Sequence, residues 1–342
     1  MAFFFAQALL FIIPLLIVAL AGLFSEKSGT VNIALEGLMV VGAFCGTFFV
    51  SKIQEIGFLE NSPHLLLIVA LLIAGIGGAL FSALLGFLAI NMRANQVIGG
   101  TALNLLAAAL VVFLIRQLQP IYDDFGTVIG SRGDISYNPE VFRLGTNILM
   151  DENELKGIGD FFVYVFHNQA YLTLYIGILI LVVTTIVIYK TKFGLRLSAC
   201  GEHPEAAQSV GINVYKYRWL GILISGFLGG IGGVVYALPI SVSFDGTVAG
   251  YGFLALAVLI FGQWKPTRVF LAAIFFGLFK ALSVTFFKFD FINEWILLYP
   301  NIPFGTIFKI LPYLATMVVL AISSKTSRAP KASGIPFNFK GR

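Results

Sequence analysis

The sequence predicts an all-α integral membrane protein, a polytopic bundle of about nine transmembrane helices. Hydrophobic residues make up 58% of the 342 residues, and charged residues only 11%. A soluble domain carries roughly a quarter charged residues, so the polar surface needed to face water on all sides is missing. The mean hydropathy is +0.92. Apolar stretches of about 20 residues, enough to cross a bilayer as a helix, recur along the chain, without the alternating pattern of a membrane barrel.

Nine apolar segments predict the transmembrane helices, at about residues 3–24, 31–50, 65–90, 96–117, 171–189, 218–240, 248–262, 268–287 and 307–323. Each must be helical in lipid, because an unpaired backbone group there costs several kcal/mol. The seventh segment is short, so it is expected to be tilted, broken or partly re-entrant. The break at 25–30 lies either in the cytoplasm or at membrane depth, and a Gly-interrupted pair of segments is typical of transporter binding sites.

The distribution of Lys and Arg predicts the orientation, since cytoplasmic loops carry the excess of these residues. With the amino terminus outside, the inner side holds fourteen: Lys27, Arg93, Lys190, Lys192, Arg196, Lys216, Arg218, Lys265, Arg268, Lys325, Arg328, Lys331, Lys340 and Arg342. The outer side holds five: Lys52, Arg132, Arg143, Lys156 and Lys288. Nine crossings therefore predict an outer amino terminus and a cytoplasmic carboxyl terminus.

This arrangement predicts one transmembrane domain at 1–323, embedded in membrane lipid. Within it, 118–168 is an extracytoplasmic loop and 190–217 a cytoplasmic loop, and residues 324–342 form a basic cytoplasmic tail. Acidic residues concentrate in the outer loop, at Asp123, Asp124, Asp151, Glu152 and Glu154. The first apolar stretch lacks a basic start and a cleavage site, so it is expected to be a retained helix.

Several classes of function find no support in the residues. A net charge of +5 with basic residues in short loops gives no indication of nucleic-acid binding. The two cysteines, Cys45 and Cys200, lie in an apolar segment and a basic loop, so neither a disulfide nor a metal site is expected. The sequence has no phosphate-binding loop of the G-x-x-x-x-G-K-[ST] type and no nucleophile–base set. We therefore expect no enzyme activity and no cofactor on this chain, and any use of ATP must occur on another chain.

Polar residues inside the apolar segments are the first candidates for a solute path. Glu36 lies six residues into the second segment and Asn32 four positions earlier, so both are expected on one helix face. Facing a cavity, this pair could hydrogen-bond a hydroxylated or amide-bearing solute; the alternative is that Glu36 is structural. Thr101 and Asn104 form a second polar stripe, which contacts either the solute or a neighbouring helix.

Lys280 lies about 10 Å from the outer end of the eighth segment, a distance over which a lysine stem can reach the interface. Small residues four apart indicate close helix packing, with pore lining as the alternative. They occur at Gly78, Ser82 and Gly86, and at the pairs Gly226–Gly230 and Gly229–Gly233. The surrounding stretches, IAGIGGALFSALLG and ISGFLGGIGGVVYAL, resemble each other, a weak indication of an internal repeat.

The inner loop contains a predicted short helix over 204–210. Pro204 stands at its first turn and Gly211 follows its end, which is the usual placement of these residue types. An ordered cytoplasmic segment of this size suits docking to a partner. A plain connecting helix is the alternative.

Three stretches resemble a known family. Residues 24–37, FSEKSGTVNIALEG, resemble the S-E-[KR]-S-G-x-[VI]-N-[IL]-x-x-E-G signature of bacterial ABC importer permeases for nucleosides and simple sugars. Residues 97–105, VIGGTALNL, are similar to the matching V-I-x-G-T-A-[IL]-N-L stretch. The inner loop contains the E-A-A-x-x-x-G core of the segment that couples importer permeases to their ATPase, with Ser198 and His203 where the pattern more often has Arg and Asn. The similarity runs from about 20 to 325, but the outer loop and the tail have no match.

The resemblance implies a multi-pass protein of the bacterial plasma (inner) membrane, in a family that also includes the ribose and branched-chain amino acid permeases. Its implied partners are a cytoplasmic ATP-binding subunit, a second homologous permease and an extracytoplasmic substrate-binding lipoprotein. The form of the first two motifs favours nucleosides as the solute. The residues that the resemblance assigns to ATPase coupling are Pro204, Glu205, Ala206, Ala207 and Gly211. Solute would pass near Asn32 and Glu36, with Thr101 and Asn104 as further candidates for the path.

Two other classes of protein are weighed against the importer. An ion-coupled secondary transporter needs ionisable groups inside the membrane, and Glu36 alone gives it thin support. A multi-pass membrane enzyme needs a catalytic set of side chains that the sequence does not contain.

Overall fold

The computed structural model describes residues 2–59, 62–122, 128–131, 133–144, 157–168, 170–289, 292, 294, 298, 303–323 and 329–337. The helices are α1 Ala2–Lys27, α2 Leu35–Ile56, α3 Pro63–Gly86, α4 Gln96–Leu118, α5 Ile158–Val163, α6 Leu172–Lys190, α7 Lys192–Glu202, α8 Pro204–Ser209, α9 Val214–Ile240, α10 Tyr251–Phe261, α11 Pro266–Thr285 and α12 Phe304–Ser323. Short π-helical turns follow α3 and α5, at Phe87–Asn91 and Tyr164–Asn168, and 3-10 turns cover Glu140–Phe142 and Phe286–Lys288. The strands are β1 Pro120–Tyr122, β2 Val128–Ser131, β3 Ile135–Ser136 and β4 Ser243–Phe244, paired antiparallel as β1–β2 and β3–β4. The predicted all-α class is confirmed, and the strands are confined to loops.

Seven helices in the described part of the chain are long and apolar enough to cross a bilayer: α1, α2, α3 with its π-helical turn, α4, α6, α9, and α11 with its 3-10 turn. Two further apolar helices are shorter, α10 at Tyr251–Phe261 and the portion Phe304–Val318 of α12. All nine predicted segments thus coincide with helices. In the described part of the chain, seven of these helices are long enough for a full crossing by this criterion. At 1.5 Å per residue, α10 covers about 16 Å, roughly half of a 30 Å hydrocarbon core. The short helix expected for the seventh segment is confirmed.

Glycines bring α9 into backbone contact with α3. A Cβ built on Gly78 would lie 2.3 Å from the carbonyl oxygen of Gly226, and one built on Gly230 would lie 2.2 Å from that of Ala74. The two look-alike glycine-rich stretches are therefore packing partners. In lipid, where no hydrophobic force drives helices together, such close approach supplies the dispersion contacts that hold them.

Two other faces of α9 pack in the same way. A Cβ on Gly42 of α2 would lie 2.2 Å from the Cα of Gly230, and a Cβ on Gly233 would lie 2.1 Å from the carbonyl oxygen of Met39. Towards α1, a Cβ on Gly232 would lie 2.3 Å from a methyl group of Val18. Helix α9 therefore stands at the centre of the bundle, against α1, α2 and α3.

Helix α1 is also an interior helix, whereas α4 and α6 are peripheral. Every residue of α1 from position 11 to 26 is buried, as expected for a helix that is apolar all round. In contrast, only 28% of the apolar window of α4, and the same share of α6, is buried inside the bundle. Their outward side chains, including Leu105 and Leu179, are exposed and apolar. Lipid or a partner subunit must cover these faces.

The described part of the 118–168 loop is fastened to the ends of α2 and α9. Gln54 and Asn138 exchange two hydrogen bonds between the Gln54 side chain and the Asn138 backbone, at 2.9 and 3.1 Å. The Tyr137 hydroxyl donates to the carbonyl oxygen of Ala237 at 3.0 Å. This loop therefore lies on the side of the bundle where α2 and α9 end. The acidic residues noted above, at 123–124 and 151–154, lie outside the described residues.

We expect Gly230→Ala to destabilise the bundle, because its new Cβ would meet backbone atoms of Ala74 that cannot turn aside. Overpacking of this kind costs about 1–3 kcal/mol. The measurement is the thermal unfolding midpoint of the protein purified in detergent. Gly99→Ala in α4 is the matched control, since the nearest atom to its Cβ is a Leu88 methyl at 3.5 Å. Equal midpoints for the two variants would contradict the central role of the α9 contacts.

Candidate functional site

The segment between α1 and α2, residues 28–34, is a turn packed inside the protein. Gly29 has a φ of +92°, which favours glycine. The Ser25 hydroxyl donates to the carbonyl oxygen of Thr30 at 2.8 Å, and the Ser28 hydroxyl donates to that of Ser25 at 2.6 Å. Ser25, Ser28 and Thr30 are fully buried. The hydroxyls of Ser25 and Ser28 thus pair with backbone groups of a buried break, which needs partners within the protein.

This break lies alongside the interior of α9 and not beyond its end. A Cβ built on Gly221 would touch the Cβ of Ser28 at 2.7 Å, and Asn32 Nδ2 donates to the hydroxyl of Ser225 at 2.8 Å. Gly221 is the eighth residue of α9, about 10 Å along its axis. The break is thus packed against α9 inside the bundle; whether 25–30 lies in the cytoplasm or at membrane depth stays a prediction.

Asn32 and Glu36 do not share a helix face, and that prediction was wrong. Helix α2 begins at Leu35, so Asn32 precedes it. The Asn32 side chain is fully buried, and its Oδ1 accepts from the backbone N–H of Ala34 at 3.1 Å. Asparagine commonly forms such a turn, which here directs the chain into α2. Both ends of the Asn32 amide are therefore engaged within the protein.

Glu36 caps the amino terminus of α10. Its Oε1 accepts from the N–H of Gly250 at 2.9 Å and its Oε2 from the N–H of Gly252 at 2.6 Å. Gly252 must be glycine, because a Cβ there would lie 2.3 Å from the Glu36 backbone nitrogen. The first N–H groups of a helix have no partner within the helix and carry its positive dipole end. The Glu36 carboxylate pairs with these N–H groups of α10 and places a negative charge at the positive end of its dipole. Glu36 itself lies in the first turn of α2.

Asn104 ties α4 to the same break, whereas Thr101 faces outward. Asn104 Oδ1 accepts from the N–H of Gly37 at 2.8 Å, and its Nδ2 donates to the carbonyl oxygen of Ile33 at 2.9 Å. The Thr101 hydroxyl is exposed and bonds the carbonyl oxygens of its own helix. The structure thus brings Asn32, Glu36 and Asn104 together around one break and leaves Thr101 on the bundle surface.

Sequence reasoning missed three partners of this break. Gln96 Oε1 accepts from the N–H of Val31 at 2.7 Å, Ser225 accepts from Asn32, and Trp264 Nε1 donates to the buried carboxylate of Glu26. Two of the three, Ser225 and Trp264, are more than 190 positions away from the residues they contact. A buried Glu at the end of an apolar segment signals that a donor must exist, but not which one it is.

The inner segment consists of α7 and α8, and the predicted short helix is confirmed as α8, Pro204–Ser209. Pro204 is its first residue, and Gly211 follows with a φ of +86°. Ala207 is buried against the protein, whereas Glu205 and Ala206 are exposed. Helix α8 therefore presents an outward face that this chain does not cover in its described part.

Helix α7 rests directly on the break. A Cβ built on Gly201 would lie 2.4 Å from the carbonyl oxygen of Lys27, and a Cβ on Gly29 would lie 3.3 Å from the Cα of Gly201. Burial raises the pKa of the neighbouring Cys200 thiol to about 11, so this thiol is neutral near pH 7 and packs as a small apolar group. Displacement of α7 and α8 would therefore press on the Gly29 turn.

The described tail residues, 329–337, fold back onto this region. The N–H of Ala332 donates to the carbonyl oxygen of Gly201 at 2.8 Å. Arg218 of α9 is 1% exposed, its Nη1 donates to the carbonyl oxygen of Ile335 at 3.0 Å, and its guanidinium lies 5.8 Å from the ring centre of Phe337. A groove of about 590 Å³ lies between α8 and the tail. The tail is thus part of the surface that carries α8.

A second polar cluster lies where α9 and α11 end. The Tyr236 and Tyr251 rings have centroids 4.3 Å apart. Lys280 Nζ lies 5.6 Å from the Tyr251 ring centre and 6.0 Å from that of Tyr313. Lys280 was expected to reach the membrane interface, but it turns to these rings, because a desolvated ammonium is attracted to aromatic faces.

The chain matches a known family along most of its length. The model of the family described as "Branched-chain amino acid transport system / permease component" matches residues 4–321. The nucleoside ABC transporter permease protein NupC of Lactococcus lactis subsp. cremoris (strain MG1363) is 37% identical over 334 residues, which is 97% of this chain and 95% of the relative. The guanosine ABC transporter permease protein NupQ of Bacillus subtilis (strain 168) is 37% identical over 338 residues, 98% of this chain and 95% of the relative.

A third relative comes from the same Lactococcus strain. The nucleoside ABC transporter permease protein NupB is 27% identical over 270 residues, 77% of this chain and 68% of the relative. Two permeases of one organism therefore resemble this chain, one of them more strongly. From the family match and the near full-length identities, the chain belongs to the family of branched-chain amino acid transport system permease components.

Proposed function

We propose that this chain is the permease subunit of an ATP-binding-cassette importer for nucleosides. The observation that carries the proposal is the 37% identity, over 97% and 98% of the chain, to two permeases named for nucleoside and guanosine transport. The buried break and the α7–α8 segment that rests on it fit this role. Such a subunit supplies the path for the solute, and other subunits supply the energy.

The ATPase subunit would dock on α8. Its outward face carries Glu205 and Ala206. Val210, just after the helix, is an apolar side chain that is 76% exposed, which is typical of a surface covered by a partner. The groove beside α8 is lined by charges of both signs, including Glu202, Arg218 and Lys331. An exposed apolar side chain within a charged rim is the usual composition of a protein interface. Pro204 begins α8, Ala207 anchors it to the protein and Gly211 follows its end, so these residues set the shape of the surface.

A second homologous permease would complete the path. The resemblance to both NupC and NupB of one strain supports a pair of unlike permeases, with this chain in the position of NupC. The apolar outward faces of the bundle offer room for such a partner. A substrate-binding lipoprotein would deliver the nucleoside on the outer side of the bacterial plasma membrane.

The proposed topology keeps nine crossings, with the amino terminus outside and the tail in the cytoplasm. Helix α10 would be a half-length helix that starts within the membrane and runs inward, preceded by the non-helical segment 241–250. Glu36 caps its amino terminus there and pairs N–H groups that the hydrocarbon core could not. Discontinuous helices of this kind are where transporters bind solutes.

The solute would pass beside the amino termini of α2 and α10. Within this region Asn32 and Asn104 hold the break in shape, and Glu36 joins the two helix ends. Thr101 lies on the outward face of α4, where it would reach the solute only if the partner permease closes the path on that side. Coupling would run from α8 through Gly201 to the Gly29 turn, and from there to α2.

An ion-coupled secondary transporter is the alternative, and it is less well supported. Both Glu36 oxygens already accept backbone N–H groups, which leaves this carboxylate poorly placed to carry a coupling ion.

Cells or proteoliposomes that contain the assembled complex should accumulate radiolabelled guanosine in a vanadate-sensitive manner, because the energy comes from ATP. Dissipation of the proton gradient with an uncoupler, at constant ATP, should leave the initial rate unchanged. Uptake that survives vanadate but collapses with the uncoupler would overturn the proposal in favour of ion coupling.

We expect Glu205→Arg to reduce guanosine-stimulated ATP hydrolysis of the reconstituted complex at least about tenfold, since a reversed charge at a docked surface costs more than 1.4 kcal/mol. Glu140→Arg, on the opposite side of the bundle, is the matched control and should retain full activity. Both variants should reach wild-type abundance in the membrane. Unchanged stimulation in Glu205→Arg would remove α8 from the coupling path.

Glu36→Gln should lower the thermal unfolding midpoint of the purified protein, because an amide offers one acceptor oxygen where α10 requires two. Loss of a cap interaction costs about 1 kcal/mol. Glu55→Gln, near the other end of α2, removes only an exposed pair with Lys52 and should leave the midpoint unchanged. If Glu36→Gln matches the wild type in both midpoint and guanosine uptake, Glu36 neither caps α10 nor lines the path.

A further inference from the structure

We infer that Tyr236, Tyr251, Tyr313 and Lys280 form a solute-binding site that holds a planar, uncharged nucleobase at the outer end of the path. This inference rests on the proposed function and deepens it, since it names the residues that recognise the solute. The three motifs that resemble the family do not include any of the four. They come from α9, α10, α11 and α12, and only the fold brings them together.

Two polar groups of this cluster, the Tyr251 hydroxyl and the Lys280 ammonium, lack a hydrogen-bond or ion-pair partner among the described residues. Tyr251 is 1% exposed, and its hydroxyl has no hydrogen-bond partner among the described residues. Lys280 forms no ion pair with a carboxylate within that part of the chain, although it lies inside an apolar helix. Burial of a hydroxyl or an ammonium without a partner is unfavourable. Both groups are therefore placed to bond something that the chain does not itself provide.

Two of the four side chains, Tyr236 and Tyr313, are accessible. Tyr236 lines a pocket of about 250 Å³ together with Ser241, Asp245 and Thr247. Tyr313, on the other side of Lys280, is 47% exposed. A solute could therefore enter between the segment 241–250 and α12 and reach the tyrosine rings.

The chemistry of the cluster selects a ligand class. Tyrosine rings offer faces on which any nucleobase can stack, because every base has a π-face. The Lys280 ammonium and the hydroxyls of Tyr236 and Tyr251 can donate to the carbonyl oxygens and ring nitrogens of a base. The exposed carboxylate of Asp245 can accept from ribose hydroxyls. A positive charge among aromatic rings disfavours cationic solutes.

The position along the helices agrees with a first contact for an incoming solute. Tyr236 lies four residues before the end of α9 and Lys280 five before the end of α11, about 6 and 8 Å from those ends. In the proposed orientation both ends face outward. Tyr251 follows Gly250, whose N–H is bound by Glu36, so the cluster adjoins the Glu36-capped start of α10.

The test is the concentration dependence of guanosine uptake by Lys280→Met and Tyr236→Phe complexes in proteoliposomes. We expect the KM for guanosine to rise at least fivefold in Lys280→Met and at least twofold in Tyr236→Phe, with protein abundance unchanged. Tyr236→Phe removes one hydroxyl and keeps the ring against Tyr251, so it remains informative if Lys280→Met fails to accumulate. Lys288→Met is the matched control, an exposed lysine just beyond the same helix, and its KM should equal that of the wild type.

The outcomes separate the inference from the proposed function. A wild-type complex that does not take up guanosine would overturn the proposed function, and the inference with it. Wild-type uptake with an unchanged KM in both variants would overturn the inference alone. Ribose and leucine, added as competitors at tenfold excess, should not reduce guanosine uptake, since neither presents a planar base. Competition by leucine would instead assign Lys280 to a carboxylate and overturn the assignment to a nucleobase.

Discussion

The backbone contact of α9 with α2 and α3 is the constraint on which the rest of the structure depends. Gly226, Gly230 and Gly233 allow carbonyl oxygens and Cα atoms of neighbouring helices to approach to distances at which no Cβ fits. Since lipid supplies no hydrophobic force between helices, this proximity is what gives the contacts their strength. The buried break between α1 and α2 packs against the same helix, where Gly221 contacts Ser28 and Ser225 accepts from Asn32.

The buried break explains where the polar side chains of this region lie. Backbone groups that leave a helix inside the bundle must be paired within the protein. Gln96 binds the N–H of Val31, Asn104 binds Gly37 and Ile33, and Asn32 binds Ala34. Each of these side chains comes from a different position of the chain, but all serve one irregular segment. The motif is therefore polar because the backbone is irregular there.

The sequence was sufficient to predict the class of fold, the segments and the glycine contacts, because these follow from composition and from spacing along one helix. It was also sufficient for α8, whose Pro204 and Gly211 mark both ends locally. It was insufficient for the site. Asn32 was predicted to lie on a helix because its neighbours are apolar. The hydrogen-bond partner of Glu36, Gly250, lies 214 positions away in the sequence. Lys280 was predicted to reach the membrane interface. The tyrosines that it contacts belong to α10 and α12, and the sequence around Lys280 does not reveal them. In each case the deciding partner is distant in sequence, and no local pattern encodes it.

The contacts form a continuous chain from α8 to the tyrosine cluster. Helix α7 rests on the Gly29 turn through Gly201, and the turn leads directly into α2. Glu36, in the first turn of α2, holds Gly250 and Gly252, so the start of α10 must follow any shift of α2 or lose two hydrogen bonds. Tyr251 stands at that start, and its ring centre lies 4.3 Å from that of Tyr236. A displacement of α8 by an ATPase would thus reach the tyrosine rings through packed backbone, in a low-dielectric interior where breaking the Glu36 contacts is costly. Under the proposed function, this linkage is how closure of the ATPase would loosen the solute held outside.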